Sequence, residues 1–133
     1  MPEAQRHEEA LIRAFIIPAK RRRLLLLLRH KKRRKVVLAS LAHFRDLDVR
    51  WANRIPGANQ SPDGIEQLLR MKGAPPTCYV ICDDSSIDGR FMPLKEALEE
   101  ISFGALLSCI PGKLGYFEGE SDGERYILER HSH

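Results

Sequence analysis

Cysteine and aromatic residues are scarce in this chain, and across one long stretch acidic residues are missing altogether. The three cysteines in 133 residues are an odd number with no paired spacing. Cys78 and Cys82 would share one face of a strand, too far apart along it to bridge, and Cys109 lies in a separate apolar run. Buried, reduced thiols are therefore expected, not a disulfide or a metal cage. Aromatic residues make up 7% of the chain and hardly occur in its most basic part, which weighs against stacking on single-stranded bases. No apolar run approaches the length of a membrane span, and Leu24–Leu28 is only five leucines between basic clusters. The opening MPEAQRHEEA carries acids where a secretory signal needs an apolar core, so a cytoplasmic chain is expected. Neither GxGxxG nor a phosphate loop ending in Lys-Ser/Thr occurs, and no cofactor is expected.

The missing acids are the stronger clue. From Pro18 to Phe44 there is no Asp or Glu, while ten Lys/Arg lie between Lys20 and Lys35. Residues 1–60 hold 15 Lys/Arg against 5 Asp/Glu, a net +10, and residues 61–133 hold 7 against 13, a net −6. Such a bipolar chain either neutralises itself or presents its basic part to an anionic partner.

Hydrophobic spacing predicts how these charges are carried. Ala4, His7, Leu11, Ala14 and Phe15 follow a helical stripe over Glu3–Ile17, which Pro18 should end while opening the next helix at its first turn. Leu24, Leu25 and Leu28 suit one helical face, and Val37, Leu38, Leu41 and Phe44 another. Two helices with a break near His30–Lys32 explain this better than one rod. Ile55–Gln60 reads as a loop. Ser61-Pro62-Asp63 is a helix start, and Gly73 followed by Pro75-Pro76 is its stop.

The second half switches period. Cys78–Cys82 between Pro75-Pro76 and Asp83-Asp84 fits a strand buried on both faces. Turn residues Asp84–Gly89 follow, then a short strand over Arg90–Met92, stopped or held at an edge by Pro93, and a helix from Leu94 to about Ser102–Gly104. Ala105–Ile110, a two-residue turn at Pro111-Gly112, and Leu114–Glu118 read as a hairpin. Glu120–Gly123 is a turn into a closing strand at Arg125–Glu129. The expected fold is α+β in one domain: basic N-terminal helices packed on a mostly antiparallel C-terminal sheet with one inserted helix, the helical lobe covering about 1–73 and the sheet lobe about 74–130.

The candidate chemistry is thin. Asp84-x-Ser86-x-Asp88-Gly89 imitates the start of a calcium loop, but Lys95 stands where a bidentate glutamate is needed, so a hairpin turn is expected. His43 with Asp46 and Asp48 has the composition of a proton-transfer or metal cluster, although a histidine at a helix end beside loop aspartates more often serves the fold. His131-x-His133 sits at the chain terminus. Cys109 in SCIPG has no nearby base to activate it.

Asp83 and Asp84, at a strand exit, together with Glu118, would suit a small metal-dependent phosphodiesterase or hydrolase. The leading expectation is instead a non-catalytic binding protein. Its polyanion-binding residues are Arg21, Arg22, Arg23, Arg29, Lys31, Lys32, Arg33, Arg34 and Lys35, and its partner is nucleic acid or an acidic protein. A pure protein-interaction module and membrane-surface attachment are the further readings.

Overall fold

The computed structural model describes residues 1–130 apart from Phe103 and Asp122. The first helix, α1, is Glu3–Phe15 and buries His7, Leu11, Ile12, Ala14 and Phe15. Helix α2, Pro18–Arg29, opens with its proline at the first position, where the missing N–H costs nothing. His30 turns to extended geometry (φ −92°, ψ 117°) and ends α2, so that α3, Lys31–Ala39, leaves in a new direction. The break expected near His30–Lys32 is there.

After two short 3-10 turns, Leu41–His43 and Val49–Trp51, strand β1 is Ala52–Arg54. Helix α4, Pro62–Met71, is capped by the Ser61 hydroxyl, which accepts from the Gly64 N–H at 3.1 Å. Then come β2 (Thr77–Cys82), β3 (Phe91–Pro93), α5 (Leu94–Glu100), β4 (Ala105–Ile110), β5 (Leu114–Glu118) and β6 (Arg125–Glu129). Among the described residues no helix is long and apolar enough to cross a membrane.

The strands form one sheet in the order β1-β6-β5-β4-β2-β3, every neighbouring pair antiparallel. Side chains alternate across it. Tyr79, Ile81, Leu106, Phe117 and Leu128 face α1, α2 and α3. Cys78, Val80, Leu107, Cys109, Tyr116 and Ile127 face the other way, onto Ile65 and Leu69 of α4 and Leu94, Ala97 and Leu98 of α5.

The fold is α+β, as the sequence predicts, but helices cover both faces. Residues 1–73 hold α1–α4 and β1, and residues 74–130 hold the other five strands and α5. α4 lies beside α5 across the sheet from α1–α3, and β1 from the first part pairs with β6 from the second. The physical reason is the strands themselves: β2, β4 and β5 are buried nearly end to end, so both faces need a cover.

Two local expectations change. Ile110 pairs with Leu114, so the β4–β5 turn holds three residues, not two. Pro111 cannot take the positive φ that a two-residue hairpin turn requires at that position. With Gly112 at φ 71° and the Lys113 N–H on the Ile110 carbonyl at 3.0 Å, the chain makes a type II turn, and a register shift between Ser108 and Ile110 absorbs the misfit. Strand β1, Ala-Asn-Arg, has no strand-forming side chains and goes unannounced in the sequence. Pro93 does lie on an edge strand, paired with Thr77. The helix expected to reach Ser102–Gly104 stops at Glu100.

Candidate polyanion-binding surface

The basic segment folds as the α2–α3 pair. Its buried side is Leu24, Leu25 and Leu28 from α2 and Val37 and Leu38 from α3. Each such side chain, fully buried, contributes on the order of 1.5–3 kcal/mol, enough to seat two helices that carry ten like charges.

Polar contacts then fix their pose. Arg29 pairs with Glu9 of α1. Arg21 donates from Nε to the Ile16 carbonyl at 2.8 Å, across the α1–α2 corner. That corner is itself held by the Ile17 N–H on the Asp46 carbonyl at 2.9 Å and the Asp48 N–H on the Phe15 carbonyl at 2.8 Å.

Arg34 is the anchor of the pair. Its Nη1 donates to Glu8 at 2.8 Å, and its Nε and Nη2 make a fork to Asp88 at 2.9 and 3.0 Å. Glu8 also accepts from the Tyr79 hydroxyl at 3.0 Å, and Asp88 from the Cys82 N–H at 3.2 Å. One guanidinium thus joins α1, α3, β2 and the β2–β3 turn. Burial alone would push the Arg34 guanidinium down, but hydrogen bonds to Asp88 and Glu8 outweigh it and hold the group above its ordinary value. The Tyr79 hydroxyl is raised by burial and by the neighbouring Glu8 charge.

Of the expected polyanion contacts, Arg34 and Arg29 are therefore engaged with acids of the chain itself. The other eight basic residues between Lys20 and Lys35 (Lys20, Arg21, Arg22, Arg23, Lys31, Lys32, Arg33 and Lys35) meet no carboxylate within ion-pair distance among the described residues. Seven of these are exposed, and Arg21 is half-buried.

Two shallow clefts flank the Arg23–Leu27 ridge of α2. One, of about 410 Å³, is lined by Arg22, Arg23, Leu26, Leu27 and Arg33. The other, of about 360 Å³, lies toward α3, with Lys20, Arg23, Leu27, Val37, His43 and Arg45 around it. Leu26 is 59% exposed and Val36 71%. Each has two cations on the preceding turn, Arg22 and Arg23 for Leu26 and Lys32 and Arg33 for Val36.

The exposed Leu26, and His43 and Arg45 as part of a cleft wall, are features sequence reasoning passed over. One signal was available for Leu26. At roughly 100° per residue, five consecutive leucines spread over the whole circumference, so one of them must face out.

The remaining candidates are not brought together. Asp84 accepts from the Ser86 N–H at 3.0 Å and its hydroxyl at 2.6 Å, Asp88 is taken by Arg34, and the stretch is a turn between β2 and β3. Glu118 is buried and bound to the Tyr116 hydroxyl at 2.8 Å and Arg125 at 3.3 Å. It lies on β5, two strands from β2, whereas Asp83 and Asp84 follow the end of β2. His43 pairs with Glu120 at 2.8 Å and Asp48 with Arg50 at 2.7 Å, while Asp46 stands at the cleft wall. Hydrogen bonds from Arg50 hold the Asp48 carboxyl below its usual range. Among the described residues no group of three His, Cys, Asp or Glu could hold a metal ion. His131-x-His133 lies outside the described residues.

The cysteines are free and buried, and burial pushes the Cys78 thiol up to about 12. No protein-family model, curated protein or solved structure matches this chain.

Proposed function

We propose that this chain is a non-catalytic binding protein whose α2–α3 face engages a polyanion. The observation that carries the reading is that, among the described residues, eight of the ten cations between Lys20 and Lys35 make no ion pair with the chain's own acids, although residues 61–133 hold a net charge of −6. Self-neutralisation is therefore local: it is spent on Arg29 and Arg34, the two residues that seat the helices. The contact set is Arg21, Arg22, Arg23, Lys31, Lys32, Arg33 and Lys35, joined by Lys20. Three buried, protonated thiols suit a reducing, cytoplasmic setting.

Within that reading, Leu26 and Val36 favour an acidic protein partner over nucleic acid. Phosphate backbones make no use of exposed aliphatic side chains, whereas a peptide bearing both carboxylates and apolar residues does. Fluorescence anisotropy with labelled duplex DNA, single-stranded RNA and an acidic peptide containing leucines tests the proposal. Binding at low salt is expected, with the peptide weakened by Leu26→Ser and the nucleic acids indifferent to it. Loss of all binding on Arg22→Glu with Arg23→Glu is the expected control. Failure of every probe to bind at low salt would end the reading.

A further inference from the structure

We propose that the cleft between α1 and the β4–β5 turn is a second, separate anion site that takes the phosphoryl group of a small phosphomonoester. The cleft measures about 320 Å³. Three cations line it from three different elements: Arg13 from α1, Lys113 from the turn and Arg130 just after β6. No carboxylate lines it among the described residues. Glu129, the acid nearest in sequence to Arg130, is engaged by Lys72 at 2.8 Å.

One of the three, Arg130, is held in place by its neighbours. The Arg130 guanidinium stacks over the Trp51 ring at 4.9 Å from its centroid and donates from Nη1 to the Ala14 carbonyl at 3.3 Å. Its backbone N–H donates to the Lys113 carbonyl at 2.9 Å, tying the strand end to the turn. Gly112, at φ 71°, carries no side chain where one would come within 3.6 Å of Ala10 and 4.0 Å of Ala14, so α1 passes close over the turn and brings Arg13 alongside.

Like charges held together without a counter-charge raise the local potential and attract an anion. A phosphomonoester brings about two negative charges at neutral pH and three acceptor oxygens. Guanidinium forks grip such a group in a bidentate way. The floor of Ala10, Ala14 and Pro111 is apolar and suits a carbon skeleton attached to the phosphate.

Trp51 is the only tryptophan in the chain, and its contact with Arg130 makes its fluorescence a direct reporter. Phenyl phosphate and inorganic phosphate would be titrated by calorimetry and by Trp51 emission. Phenyl phosphate should bind, more tightly than inorganic phosphate. Lys113→Ala and Arg13→Ala should each weaken it by about tenfold while the thermal melt of the variants stays cooperative. Arg22→Gln with Arg23→Gln, on the α2–α3 face, should leave it unchanged. Absence of heat and of any emission change with both compounds overturns the proposal. So does weakening by the Arg22/Arg23 pair in place of Lys113→Ala and Arg13→Ala.

Discussion

Arg34 illustrates how one side chain can be removed from a functional surface by the fold that surface needs. Its side chain is 19% exposed and those of Glu8 and Asp88 are 12% and 14%, so deleting it strands two half-desolvated carboxylates. Arg34→Ala should cost about 3–5 kcal/mol, read as a lower urea midpoint at unchanged slope. A variant as stable as the parent would show that Glu8 and Asp88 do not depend on it. His7 works by another balance. It is buried among Tyr79, Phe91 and Ser108, with the Ser108 hydroxyl 2.7 Å from Nδ1 and the Glu3 carboxylate 3.6 Å from Nε2. Desolvation lowers its pKa from 6.5, with Arg6 adding to this and Glu3 opposing it. The unfolded chain therefore takes up the proton more readily than the folded one. The stability this contributes is present above pH 6.5 and is lost as pH falls through the folded value. Urea melts at about pH 7.5 and about pH 5.5 should show a larger loss for the parent than for His7→Gln, which keeps a hydrogen-bonding group toward Ser108. Equal losses would contradict that assignment.

Two turns show what an element demands of its residues. Gly112 and Gly104 both hold positive φ, 71° and 84°. A Cβ on Gly112 meets nothing closer than 3.6 Å, so Gly112→Ala should cost about 1–2 kcal/mol, the conformational penalty alone. A Cβ on Gly104 would lie 2.5 Å from the Ala42 backbone nitrogen, where the chain entering β4 crosses the Leu41–His43 turn. Gly104→Ala should therefore destabilise well beyond Gly112→Ala, as thermal melts of the two variants would show, and similar losses would refute the crowding. Elements with a strong period were legible in sequence: α1 from its stripe, α2 from Pro18, α4 from Ser61-Pro62 and β2 from its continuous apolar run. β1 was not, because Ala52, Asn53 and Arg54 are placed by pairing with Leu128, Ile127 and Tyr126 and not by their own preferences. The Pro111-Gly112 turn was legible in position but not in length, since proline there excludes the primed turns and the ladder adjusts by a register shift.

At the scale of the molecule, the sheet separates two helical layers, and the run of cations that meets no carboxylate within ion-pair distance among the described residues sits on one of them. That α4 belongs to the opposite layer was hidden from sequence, because the stripe of Ile65 and Leu69 says which side of the helix is buried but not against which face of the sheet. The basic segment was plain in the sequence. Which of its cations remain free was not, because Glu8, Glu9 and Asp88 reach it only through tertiary packing. The cations without an ion-pair partner among the described residues are the central claim, and salt dependence tests it most directly on duplex DNA, the polyanion whose slope per contact is known whichever partner is preferred. If they meet phosphates, the logarithm of affinity falls linearly with the logarithm of salt, each contact adding about 0.9 to the slope. Arg23→Gln with Arg33→Gln should make the slope shallower by about two units, while Arg70→Gln, exposed on α4, should leave it unchanged. An unaltered slope in the double variant, or no salt dependence at all, would contradict the account.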